Sequence, residues 1–104
     1  MEIKCEGIGI KDDTISVLIS NFIGNDMVLT NLSFEKDNIS CSRTFNKTVA
    51  NGDTIPLYVD NCDINAMLKD GILDADMRLD WHQTSATAGF SHAFRGRIRF
   101  KFEK

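Results

Sequence analysis

Two histidines, His82 and His92, flank one polar loop with Asp80 close by, and across a hairpin the three would offer the nitrogen and oxygen donors that zinc or copper takes. A pair ten residues apart is a sparse ligand set, and a copper site of the His-Cys-Met kind lacks its pattern because the last 42 residues contain no Cys. A second charged feature is the row Arg95, Arg97, Arg99 and Lys101, four cations within seven residues that could form a ridge for anions or phosphate. Its plainer reading is a solvated strand face paired with Asp74, Asp76 and Asp80, which sit at matching parity. Ser91 and His92 are neighbours, so on a strand they point to opposite faces and make no nucleophilic pair. The many Asp residues fall in turn-like clusters, and there is no glycine-rich phosphate loop. The residues therefore predict no catalytic set, no cofactor and no enzyme, with His82 and His92 as the metal candidates.

Trp81 is read as the large core side chain of a central strand, with an aromatic platform for sugars as the functional alternative. Of the three cysteines, Cys41 and Cys62 are separated by 20 residues that hold one strand and two turns, so they could face each other across a sandwich, while Cys5 lies apart near the terminus. Three reduced thiols, or one bridge and an odd thiol, both fit that spacing. Glycosylation sequons begin at Asn31, Asn38 and Asn46, a mild surplus that favours an exposed, secreted chain.

The elements that must position these residues are strands. Eleven Ile, four Val and seven Thr make 22 β-branched residues, while eleven Asp, eight Asn and seven Gly supply tight turns. With 104 residues and 42% hydrophobic content there is room for one domain, residues 1–104, around one modest core. The net charge of −3 has the wrong sign for a protein that neutralises phosphates, so nucleic acid is not an expected partner. The longest mostly apolar stretch, Val17 to Ile23, is broken by Ser20 and Asn21 and is too short to cross a bilayer. Strands are predicted at Glu2 to Lys11 on an edge, Thr14 to Phe22, Met27 to Phe34, Ile39 to Phe45, Thr54 to Asp60, Leu73 to His82 and Phe94 to Phe102. Leu18 and Phe22 interrupt the polar face of the second, which predicts a strand partly covered on both sides. A short helical turn is predicted over 63–70, with Asp63 as its cap and Gly71 ending it.

The last third is the most regular. Leu73, Ala75, Met77, Leu79 and Trp81 fall on one face, with Asp74, Asp76, Arg78, Asp80 and His82 on the other. Phe94, Ile98, Phe100 and Phe102 likewise oppose the four cations, so an antiparallel hairpin would lay the acidic row beside the basic one. About seven such strands predict an all-β, immunoglobulin-like two-sheet antiparallel sandwich.

In order, the chain carries Thr14-Ile15-Ser16-Val17-Leu18-Ile19-Ser20-Asn21, Met27-Val28-Leu29-Thr30-Asn31-Leu32, Cys41, Gly52-Asp53, Cys62, Gly71 and His92-Ala93-Phe94-Arg95-Gly96-Arg97-Ile98. This series resembles the extracellular β-sandwich domains of archaeal type IV pilin-like proteins, which are secreted with a class III signal peptide. The shared order is a strand ending in Asn, a second strand, a Cys, a Gly-centred turn, a second Cys, and a closing strand introduced by His and a Gly. The resemblance implies a structural, non-enzymatic head domain outside the cell, assembling with copies of itself or with other cell-surface subunits. It implies a Cys41–Cys62 disulfide with Cys5 free, and a modest core gains from closing such a loop. It also implies an N-terminal hydrophobic helix, absent from the chain as read from Met1, as the one route to a membrane. Trp81 stands where many members carry Tyr, and Cys5 has no counterpart. Two further expectations are an extracellular glycan- or protein-binding (adhesion) module using Trp81 or the Gln83 to Ser91 loop, and a small metal-binding protein using His82 and His92.

Overall fold

A computed structural model describes residues 2–84 and 91–101. Its elements are β1 (Glu2–Lys11), β2 (Thr14–Phe22), β3 (Met27–Lys36), β4 (Ile39–Val49), β5 (Thr54–Val59), α1 (Ile64–Met67), β6 (Leu68–Lys69), β7 (Ile72–Gln83) and β8 (His92–Lys101). One antiparallel sheet has the order β1-β2-β5, with β1 on its edge as predicted. In the other, β4-β3-β7 is completed by β8 on the far side of β7, and the two-residue β6 continues the β3 side. In immunoglobulin lettering these are A-B-E against C′-C-F-G, so the fold class is the predicted sandwich. Its core follows from the alternation of each strand: Ile15, Ile19 and Val59 of the first sheet and Leu32, Phe34 and Leu79 of the second belong to one cluster and expose no surface. Burying each contributes roughly 1.5–3 kcal/mol.

Three hairpins close over two residues, Asp12-Asp13, Asp37-Asn38 and Asp70-Gly71. Asp12, Asp37, Asp70 and Gly71 all adopt positive φ, which Asp tolerates and Gly favours. The third hairpin corrects the predicted helix. Asp63 does cap it, accepting from the Ala66 N–H at 3.1 Å, but helical geometry stops at Met67. Asp70 and Gly71, with φ of 56° and 77°, form a tight turn that pairs Leu68 with Leu73 and Lys69 with Ile72. Gly71 therefore closes a hairpin where it was expected to end a helix, because a sheet ladder was within two residues' reach. β4 also runs four residues beyond the predicted Phe45, since the start of β3 offers partners as far as Met27 opposite Val49.

Two devices join the sheets. Cys41 on β4 and Cys62 just after β5 form a disulfide with their Cα atoms 5.1 Å apart, stapling the β4–β5 edge. Arg43 reinforces that edge, its guanidinium lying 5.0 Å from the Phe45 ring centre and 4.4 Å from that of Tyr58. At one end of the sandwich the fully buried Asn21 holds two connections together, β2 to β3 and β4 to β5. Its Nδ2 donates to the Asn25 and Val49 carbonyls at 2.9 Å each, its Oδ1 accepts from the Ile23 N–H at 3.1 Å, and its backbone pairs with Gly52 and Asp53.

The outer face of β2 departs from expectation. Only Ser20 there is covered, held between Glu6 and Thr54 by hydrogen bonds of 3.0 and 2.6 Å. Leu18 and Phe22 are 42% and 39% exposed. Among the described residues no other element packs over them, because the second sheet lies against the inner face.

Candidate functional site

β7 and β8 separate the predicted metal ligands. Trp81 pairs with His92 in the ladder, so the two share a face, and their rings stack with centroids 4.7 Å apart. His82 follows Trp81 on the strand and points the other way, its Nδ1 2.9 Å from the Gln83 carbonyl. Asp80 shares the His82 face, with its carboxylate bound by Arg78 at 2.9 Å. The three residues are thus not brought together, and among the described residues no three potential metal ligands converge. Trp81 is partly buried against the core, and His92 covers one side of its ring, which leaves a poor platform for a sugar. Residues 85–90 of the predicted binding loop, and Phe102, lie outside the described residues.

The charged rows do run side by side. Asp74 stands opposite Arg99 and Asp76 opposite Arg97, while Arg97 reaches diagonally to hold Asp74 with two parallel bonds of 2.5 and 2.7 Å. That hydrogen bond keeps the Asp74 carboxyl below the usual carboxylate range and raises the Arg97 guanidinium. The ladder is incomplete further along. Arg78 faces Arg95 and turns to Asp80 on its own strand, and Lys101 faces Ile72. Parity in the sequence showed which rows would meet, whereas the register that sets like charges opposite each other depends on the loop between the strands.

Cys5 is free, as the resemblance implied. Its thiol borders an open groove of about 750 Å³ between the edge strands β1 and β8, floored by Ile3, Met77 and Ile98. Partial burial pushes its pKa up, so it is a weaker nucleophile at neutral pH than an ordinary thiol. The sequons differ in access: Asn38 in the β3–β4 turn and Asn46 on the edge strand β4 are exposed, and Asn31 sits half-buried in β3 between β4 and β7.

What the sequence reading missed is the outer face of the β1-β2-β5 sheet. Leu18, Phe22 and Tyr58 are, among the described residues, the large hydrophobic side chains that are exposed, and all three lie here. Ser16 pairs with Tyr58 and Leu18 with Pro56, while Gly7 and Gly9 stand opposite Leu18 and Ser16 on the other side. The signal was the misplaced Leu18 and Phe22 on an otherwise polar parity, together with Pro56 and Tyr58 on the non-core parity of the fifth strand. No helix among the described residues is long and apolar enough to cross a membrane. No family model, no curated protein and no solved structure matches this chain, and none of these comparisons ties it to a pilin-like domain.

Proposed function

We propose that this chain is an extracellular, non-enzymatic β-sandwich head, displayed as a structural subunit of a pilin-like or other cell-surface assembly. The observation that carries the reading is the Cys41–Cys62 bridge: a disulfide joining the two sheets of a small domain is formed and kept in oxidising compartments. Exposed sequons at Asn38 and Asn46 support the same location. The scaffold then serves contact through its surface, and the apolar outer face of the β1-β2-β5 sheet is the part of that surface least suited to water.

The test uses cells that produce the protein. Antibodies raised against the domain are expected to label intact cells, and the denatured, unreduced protein is expected to show one reactive thiol per chain, that of Cys5. Labelling confined to permeabilised cells, or three reactive thiols, overturns the proposal.

A further inference from the structure

We propose that the outer face of the β1-β2-β5 sheet is a self-association surface whose occupant is a second copy of the same chain, stacked face to face. The inference stands on the shape and charge of this face and holds wherever the protein resides. Leu18 and Tyr58 project from it, exposed by 42% and 50%. Beside them lies a mostly apolar hollow of about 280 Å³, bounded by Gly7, Gly9, Ser16, Leu18 and Pro56. A projection next to a hollow on one surface is what a two-fold contact needs, because each copy inserts its projection into the other's hollow.

Charge selects the same occupant. The centre of the face carries none; on its β1 side the rim holds Glu2, Lys4, Glu6 and Lys11, two acids and two bases that cancel, and on its β5 side Arg43 lies beside Tyr58. An apolar centre within a polar rim is the anatomy of a protein interface. An acidic or basic partner would find little net charge here, because two of the cations are engaged with rings, Lys4 over Phe22 at 5.8 Å and Arg43 over Tyr58. With Arg43 on one side of Tyr58, the ring is also not a free platform for a sugar. A two-fold axis in the plane of the sheet and perpendicular to its strands lays the copies antiparallel. Lys11 of each then meets the Glu2 to Glu6 end of β1 in the other, which adds opposite charges at both rims.

Three strands about 4.8 Å apart, with β1 and β2 ten and nine residues long and β5 six, present a face roughly 14 Å wide and 20–30 Å long, so two copies bury somewhat less than about 1,000 Å², below the usual size of stable interfaces. The isolated domain is therefore expected to dimerise weakly, and copies held close in an assembly would do so readily.

The experiment is sedimentation equilibrium over roughly 10 μM to 1 mM, the range in which small interfaces dissociate. It is run on the Cys5→Ser chain so that thiol cross-linking cannot imitate association, and the reported dissociation constant is that of the dimer. Leu18→Asp is expected to weaken the dimer at least tenfold. Gly9→Lys should do the same by filling the hollow. A Cβ at Gly9 meets nothing within 4 Å in the monomer, so this variant keeps its fold and its thermal melt checks that. Arg95→Asp, on the outer face of the other sheet, should leave the dimer unchanged. A chain that stays monomeric throughout the range overturns the proposal, as does association that survives both Leu18→Asp and Gly9→Lys.

Discussion

The two outer faces of the sandwich are built on the same alternation of side chains and end with different chemistry. On the β3-β7-β8 side the outward positions include Ser33 and Glu35, then Asp74, Asp76, Arg78 and Asp80, then Arg95, Arg97, Arg99 and Lys101, with Val28, Ile72 and Ala93 as the apolar members. Arg97 pairs there with Asp74 and Arg78 with Asp80, Arg95 stands opposite Arg78, and a cationic edge strand repels a further strand that would add to it. On the β1-β2-β5 side the outward centre is Gly7, Gly9, Ser16, Leu18, Pro56 and Tyr58, without a charge. A sheet face finished for water needs only that its side chains be polar. A face with a projecting Leu, an exposed Tyr and two bare glycines is not covered by any of the described residues, and this is the apolar area that the proposed second copy would cover.

That contrast depends on both sheets keeping one stack, and the largest way to break it is to remove the staple. Replacing Cys41 and Cys62 together by Ser is expected to cost about 3 kcal/mol, the chain-entropy value for a loop of this length, read as a lower urea midpoint in the variant. An unchanged midpoint would show that the bridge closes nothing the fold had not already closed. The next largest effect belongs to Asn21, which ties the end of β2, and hence Phe22 on the apolar face, to the turns of both sheets. Asn21→Ala strands the buried Val49 carbonyl and the Ile23 N–H and is expected to cost about 2 kcal/mol. Asn21→Asp keeps the acceptor for Ile23 but sets a buried carboxylate against the Asn25 and Val49 carbonyls, so it is expected to cost more than Ala, and a smaller cost than Ala would show that the Ile23 contact outweighs both donors.

Much of this architecture was legible because strand parity is a local property. The alternation from Leu73 to Trp81 and from Phe94 to Ile98 announces which residues are buried, and Leu73, Ala75, Met77, Leu79 and Ile98 are. The Cys41–Cys62 bridge was one of two readings the spacing allowed, and the resemblance implied it. Three features were not legible, each because it depends on what lies beyond its own strand. Whether Leu18 is covered is decided by elements distant in sequence. His82 and His92 flank one loop, which by itself allows them to meet, yet the register pairs His92 with Trp81 and so sends His82 to the opposite face. Asp70-Gly71 is a hairpin signal that reads equally as a helix end until the next strand is shown to return beside Leu68.

The smallest predicted effect sharpens the polar side of the contrast. Arg97 holds Asp74 by hydrogen bonds, and both side chains are solvated, so the pair contributes little and does so in a way that depends on pH. Because the Asp74 carboxyl is depressed in the folded chain, the stabilisation is fully present above its unfolded value of about 3.9 and is lost as pH falls through the folded one. Arg97→Gln is therefore expected to lower the urea midpoint slightly at pH 7, and the gap from the parent chain should narrow towards about pH 2 as Asp74 takes up its proton. Added salt should narrow the same gap at pH 7. A gap of equal size at both pH values would mean that Arg97 acts through the packing of its alkyl stem on the sheet, and the charged face would then owe its order to contact area more than to ion pairing.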